Sequence, residues 1–241
     1  MKDQDIVANR YISKEYLELN PTWDSEDSPW KALHVLEMLR AHDLYPRNLA
    51  DIGCGAGQVL AELKKSLPDT DMMGFDIAPD AQAFWKQKAV SGITLRLGDF
   101  FQLAEEHYDV LLLLDVLEHV RDPHDFLEKL KTYGDHFIIH LPLDLSASSV
   151  LREEPLLYVR RKVGHIHYFT CRLALALLAE CGYEVIDWKY TGAAFTAPQR
   201  NWKTRAVSVF RRVAYALSKD FGVRLLGGET LIVLARPSSR Q

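Results

Sequence analysis

Apolar positions follow two rhythms along this chain. Between residues 28 and 41 they recur at helical spacing, with Ala32, Leu33, Val35, Leu36 and Leu39 forming one stripe. Ser28-Pro29 ahead of it predicts an N-cap followed by proline in the first turn. From Leu49 short apolar runs take over, at 49–53, 71–76, 93–97, 108–114 and 135–141, and each reads as a strand. Helical patterns near 58–67, 79–90 and 123–132 separate most of them. Such alternation predicts a parallel sheet covered on both faces. Beyond Leu141 come a basic helical segment near 147–162, a helix at 170–181 stopped by Gly182, and strands at 183–190 and 229–235. Residues 1–28 are polar, with an acidic stretch from Asp24 to Asp27, and read as an arm or lid outside a domain spanning 29–241.

The first strand runs into Asp51-Ile52-Gly53-Cys54-Gly55-Ala56-Gly57. Glycines at alternate positions let the backbone turn sharply and approach a ligand where a Cβ would clash. Nineteen residues past Gly57 the second strand ends in Asp76, an offset at which an acid grips a ribose through its hydroxyls. A nucleoside-binding βαβ unit follows from the pair. A dinucleotide fingerprint spaces its glycines G-x-G-x-x-G, and here the position of its last glycine is held by Gln58.

Further motifs come in order: Phe75-Asp76-Ile77, Gly98-Asp99-Phe100, Tyr108-Asp109-Val110 and Asp115-Val116-Leu117-Glu118-His119-Val120. On these residues, the stretch from roughly 48 to 190 resembles the class I S-adenosylmethionine-dependent methyltransferases of small-molecule type. The resemblance implies a Rossmann-like, doubly wound α/β fold. Its sheet is seven-stranded and mostly parallel, with a reversed last strand inserted between its neighbours and helices on both faces. S-adenosylmethionine is then the methyl donor and S-adenosylhomocysteine the product. Asp51, Gly53, Gly55 and Gly57 line the methionine half, with Cys54 as a small packing residue among them and Asp51 facing the ammonium group. Asp76, with Ile77 beside it, takes the ribose diol. Asp99 accepts from the adenine amino group, and the Phe100 backbone N–H meets the ring. Asp115 and Val116 lie under the sulfonium end. Trp23, Trp30 and Lys31 fall where such enzymes carry a lid, with Lys31 set to pair with the cofactor carboxylate.

A sulfonium methyl is already a strong electrophile, so the protein's task is alignment and exclusion of water. A hydroxyl acceptor also needs a base. His119, His165 and His167 are the catalytic candidates. The last two alternate, so in an extended segment they point to opposite sides. Asp115-x-x-Glu118-His119 is similar to the metal-binding E-x-x-E-H pattern of some small-RNA and ubiquinone-pathway methyltransferases. Its first position is the shorter Asp, and no metal is expected.

The bulk numbers suit one α/β domain: 241 residues, 48% hydrophobic, 26% charged. A formal net charge of −4 argues against a general nucleic-acid binder, and no DNA partner is expected. Cys54, Cys171 and Cys181 lack C-x-x-C spacing, which suits reduced thiols in a cytoplasm. The polar N-terminus shows no signal-peptide core, and Val110 to Leu114 is too short to span a bilayer. The insertion at about 192–228 is unusually long for a strand connection. It predicts a helix near 205–219 with Phe210–Leu217 packed inward and Arg211, Arg212 and Lys219 outward. With Arg160, Arg161 and Lys162 this makes a basic patch, suited to an anionic acceptor or a peripheral membrane-surface contact. The expected function is methyl transfer, to oxygen before nitrogen or carbon, on a small molecule or a glycan or lipid precursor. The alternatives are an RNA methyltransferase using the basic segment and a non-catalytic cofactor-binding module.

Overall fold

The computed structural model describes residues 10–12, 15–23, 25–85, 92–196, 214–215 and 218–238. A short arm helix α1 (Glu15–Leu19) and α2 (Ser28–Ala41) precede β1 (Asn48–Ile52). Then follow α3 (Gln58–Ser66), β2 (Asp71–Asp76), α4 (Ala81–Trp85), β3 (Ile93–Leu97), α5 (Phe100–Leu103) and β4 (Tyr108–Leu114). The chain continues through α6 (Pro123–Leu130), β5 (Gly134–Pro142), α7 (Ala147–Arg152), α8 (Glu154–Lys162) and α9 (Cys171–Glu180). Last come β6 (Tyr183–Tyr190), α10 (Ala193–Thr196), α11 (Lys219–Leu226) and β7 (Thr230–Pro237).

The seven strands form one sheet in the order β3-β2-β1-β4-β5-β7-β6. β7 runs antiparallel to both β5 and β6, and the other pairings are parallel. The reversed strand is thus inserted between its neighbours, as the resemblance implies. Side chains alternate across the sheet. Leu111 and Leu113 join Phe137, Ile139 and the inner faces of α6 and α9, while Val110 and Leu112 join Leu49, Ile138 and the stripes of α2 and α3. Burial on both faces explains why β4 reads as an unbroken apolar run.

Local chemistry sets the helix starts. Asp122 accepts from the backbone N–H groups of His124 and Asp125, with Pro123 in the first turn of α6. Ser146 and Ser149 form a reciprocal capping box at α7. Four expectations need adjustment. Asp27, one residue before Ser28, is the cap position of α2. The basic segment at 147–162 is two helices, because Glu153 adopts φ +54 and breaks the run. Of the helix expected at 79–90, 81–85 is helical and 86–91 lies outside the described residues. The helix expected at 205–219 falls largely on 197–213 and 216–217, also outside them. Ser218 caps α11, so Lys219 opens that helix instead of closing the expected one.

Candidate active site

Strand order reverses between β1 and β4, and beyond their carboxyl ends lies a cavity of about 820 Å³, where doubly wound sheets bind ligands. Gly53, Gly55 and Gly57 all sit in the left-handed region, at φ +73, +52 and +72. A Cβ on Gly53 would lie 3.0 Å from Val116 Cγ2, and one on Gly55 would lie 2.7 Å from the Trp23 indole. Only glycine satisfies both the turn and that close approach.

Two buried acids face the glycine loop. Asp76 accepts the Gly55 N–H at 2.7 Å on one oxygen and the Ala78 N–H at 2.8 Å on the other. Burial raises its carboxyl, and those donors partly offset the rise. A carboxylate has about four acceptor sites, so capacity is left over that suits a ribose hydroxyl. Asp51 is 2% exposed, and its Oδ1 has no hydrogen-bond partner among the described residues. Burial pushes its carboxyl up to about 8. An orphaned carboxyl oxygen beside a nucleoside-sized cavity fits a cationic ligand group.

The other predicted cofactor residues are distributed as follows. Asp99 accepts the Phe101 N–H at 3.1 Å as the cap of α5, which engages one of its oxygens. Phe100 is buried in a ring cluster with Phe75, Phe101 and Tyr133, and Ile77 is partly exposed on the cavity wall. Cys54 is buried against Gly74, and burial raises its thiol well above the usual range. It packs and is not poised as a nucleophile. Lys31 lines the cavity and binds Asp115 Oδ2 at 2.7 Å. Asp115, at φ +60, receives His140 Nδ1 at 2.7 Å on its other oxygen. Burial opposes its ionisation, yet Lys31 and His140 together hold the carboxyl below its usual range.

The structure does not bring Trp30 to the cavity wall. Its ring packs edge-on against His34 and His140, and its Nε1 donates to Thr196 Oγ1 at 3.2 Å. Trp23 covers the glycine loop instead, in a chain of rings running Tyr11, Tyr16, Trp23 and Phe84 at 5.1–6.0 Å. Arg10 extends the arm's attachment, donating to the carbonyls of Arg160, Arg161 and Lys162 at the end of α8.

On the far side of Asp115 the wall holds Glu118, His119 and His165. Glu118 is fully buried, and neither carboxyl oxygen has a hydrogen-bond partner among the described residues. Its Oε1 lies 4.0 Å from His119 Nε2 and 3.9 Å from His165 Nε2. Burial, then the Asp115 charge, raise its carboxyl well above the usual range. Burial and the adjoining His165 lower His119 to about 4, so it is neutral near pH 7. His119 Nδ1 faces the Gly164 carbonyl at 3.3 Å and Tyr11 Oη at 2.8 Å, while Tyr11 donates to the Val163 carbonyl at 3.2 Å. A nitrogen facing a carbonyl carries the hydrogen, which leaves the lone pair on Nε2. His165 Nδ1 meets Asp144 Oδ2 at 2.6 Å, turning its Nε2 toward Glu118 as well.

His167 points the other way, bonding the Val120 carbonyl at 2.9 Å, and is not on the cavity wall. Ligand atoms of Glu118, His119 and His165 fall within 4.8 Å of one another, a set that can hold a divalent cation. Asp115 is engaged with Lys31 and His140 and is not part of it.

A buried acid bonded to a left-handed glycine loop, on a sheet of this order, is the arrangement expected of the class I S-adenosylmethionine-dependent methyltransferases. The family model Methyltransf_23, described as a methyltransferase domain, matches residues 26–187, more than half of the chain, and the chain belongs to that family. S-adenosylmethionine is its cofactor. The "Ubiquinone biosynthesis O-methyltransferase" of Glaesserella parasuis serovar 5 (strain SH0165) is 27% identical over 135 residues, which cover 49% of this chain and 56% of that protein. The chain spans about half the length of the curated relatives it matches. The solved plantazolicin methyltransferase BpumL, in complex with SAH, superposes with a TM-score of 0.62 at 18% identity, covering 96% and 94% of the two chains. The methyltransferase bound to the Haloferax volcanii Trm112 activator gives a TM-score of 0.67 at 16% identity, covering 98% and 99%. At those identities the likeness is one of fold.

Proposed function

We propose that this chain transfers the methyl group to an oxygen of a small-molecule, glycan-precursor or lipid-precursor acceptor. The observation that carries this reading is the neutral His119, which lines the cavity together with the cofactor loop and whose unprotonated Nε2 lies 4.0 Å from Glu118 Oε1. Bound S-adenosylmethionine supplies an electrophilic sulfonium methyl. His119 Nε2 takes the acceptor's hydroxyl proton as the oxygen attacks in line. The new O–CH₃ bond forms as the C–S bond breaks, and the sulfur keeps the bonding pair. His165, oriented by Asp144, stands beside His119 as a second acceptor of that proton, and His167 supports the backbone. The relatives named as O-methyltransferases support the choice of oxygen.

Cofactor roles follow the same reading. Asp51 faces the ammonium, the backbone of Gly53, Cys54, Gly55 and Gly57 cradles the methionine half, and Asp76 takes the ribose. Asp99 and Phe100 read adenine, and Lys31 meets the carboxylate above Asp115 and Val116. The arm up to residue 28 acts as the lid through Tyr11 and Trp23. The cysteines are unpaired, which supports a reducing, cytoplasmic setting. The basic stretch from Arg200 to Arg224 favours an anionic acceptor.

The test is transfer from methyl-labelled S-adenosylmethionine to a panel of hydroxylated acceptors. Wild type should give O-methyl product, and His119→Gln should lose roughly 100- to 10,000-fold in kcat. Product on nitrogen, or an unimpaired His119→Gln, would overturn the reading. The orphaned carboxyl of Glu118 favours one second reading, in which Glu118, His119 and His165 hold a divalent cation that binds the acceptor oxygen. That enzyme would lose turnover to a chelator and regain it with the metal, whereas the proton-transfer enzyme would keep turning over.

A further inference from the structure

Three neighbouring helices turn apolar side chains to solvent. Among the described residues fourteen large apolar side chains are exposed, and six of them belong to α7, α8 and α11: Val150, Leu151, Leu157, Tyr158, Phe221 and Leu225. Helix α7 is inverted, for Ser149 is its buried residue while Leu151 is 86% exposed. Helix α8 buries none of its nine residues. The three pack together: a Cβ on Gly227, after α11, would lie 2.8 Å from Ser146 Oγ, before α7.

Charge is interleaved with this surface. The same helices, with Glu153 between α7 and α8, carry Arg152, Arg160, Arg161, Lys162, Lys219 and Arg224 against three acids, Glu153, Glu154 and Asp220. Glu154 is paired with Arg161, and Asp220 accepts from Tyr190 Oη at 2.7 Å. The whole chain has a formal net charge of −4, so the excess is local. Each of the six apolar positions has a basic residue within three of it in sequence. An interface core with another protein is depleted of charge. Apolar side chains set among long cations suit a bilayer surface, where cations reach phosphates while their stems and the apolar groups enter the acyl boundary.

We infer that α7, α8 and α11 form a docking face for a lipid bilayer carrying anionic headgroups. The face is connected to the cavity. Val163 and His165, just after α8, line the cavity wall, and the arm is bonded to the end of α8 through Arg10, Asn20 and Tyr11. Docking through α8 therefore sets the cavity entrance and the lid against the membrane. This last step rests on the methyltransferase reading, whereas docking itself does not.

The test is flotation of the full chain with two vesicle types, phosphatidylcholine alone and phosphatidylcholine containing phosphatidylglycerol. Leu151→Ser/Tyr158→Ser is compared with wild type, and both positions are exposed enough to leave the core intact. Wild type should float with the anionic vesicles at least about tenfold better than with the neutral ones, and less so as salt rises. The double variant should lose that binding while its affinity for S-adenosylhomocysteine is unchanged. Equal partition to both vesicle types, no binding, or undiminished binding by the variant would overturn the inference. So would a wild-type dimer that the variant converts to monomer, since the face would then bind a second copy. Calorimetry with S-adenosylhomocysteine on the same preparations reads the enzyme assignment separately: cofactor binding without flotation defeats only the docking face.

Discussion

Tyr11 Oη lies 2.8 Å from His119 Nδ1, which ties the arm to the base candidate across 108 residues of sequence. The phenol relays between the imidazole N–H and the Val163 carbonyl, and so holds the ring with Nε2 toward Glu118. Tyr11→Phe removes this bond and leaves a buried donor on Nδ1 with only the longer contact to Gly164. A loss of about 1–1.5 kcal/mol, or roughly tenfold in kcat, should follow with little change in cofactor affinity. Steady-state kinetics beside calorimetry check the split; an equal loss in both would make Tyr11 a cofactor residue instead.

Asp76 should dominate cofactor binding. Asp76→Ala strips the ribose acceptor and leaves the Gly55 and Ala78 N–H groups unpaired. Affinity for S-adenosylhomocysteine should fall by about 2–3 kcal/mol, or more than 30-fold. Titration calorimetry decides it, and a variant binding as wild type would remove Asp76 from the site.

Asp51 carries a pH signature. Its folded carboxyl is raised to about 8, whereas the unfolded chain ionises near 3.9. The unfolded state therefore releases its proton first, and stability falls as pH rises between those values. Ligand-free wild type should lose melting temperature from about pH 4 to pH 8 more steeply than Asp51→Asn. The variant should be the more stable protein near pH 7 and the weaker cofactor binder. Parallel melting curves would contradict the burial argument.

Much of this was legible along the chain. Asp51, the three glycines and Asp76 are local in sequence, and the strand boundaries followed from apolar runs buried on both faces. The arm, Trp23, His119 and His165 were named from the sequence, but the contacts that join the arm to the far wall were not legible. Tyr11 to His119 and Arg10 to the α8 carbonyls span 108 and about 150 residues, and no periodicity encodes such a pairing. His140 and Asp144 escaped notice because a polar residue at a strand end looks like a turn residue until its partner is known. Trp30 misled in the opposite sense. Its place beside Lys31 suggested a cofactor contact, but helix geometry turns adjacent residues about 100° apart, and the ring went to His34 and His140.

Trp23 and Gly55 should be coupled. Gly55→Ala places a Cβ 2.7 Å from the indole on a backbone at φ +52, and should weaken cofactor binding by about 1–3 kcal/mol. In a Trp23→Ala background the steric part vanishes and only the backbone strain remains. A double-mutant cycle on S-adenosylhomocysteine affinity should show an interaction of at least about 0.5 kcal/mol. Strict additivity would mean the indole does not close over the loop.

The inserted β7 governs how the sheet can be assembled. Among the described residues β6 has β7 as its only neighbour, and β5 is open on that side until β7 arrives. While the chain is being synthesised, everything through residue 190 therefore emerges with two strand edges exposed, awaiting Leu231 to Ala235. The long connection of the insertion delays that closure further, since a distant strand must return to a slot already flanked on both sides. During that interval the half-built sheet is most open to pairing with another chain. Lesions in Thr230–Pro237 should consequently appear as poor yield of folded enzyme long before they appear as altered catalysis.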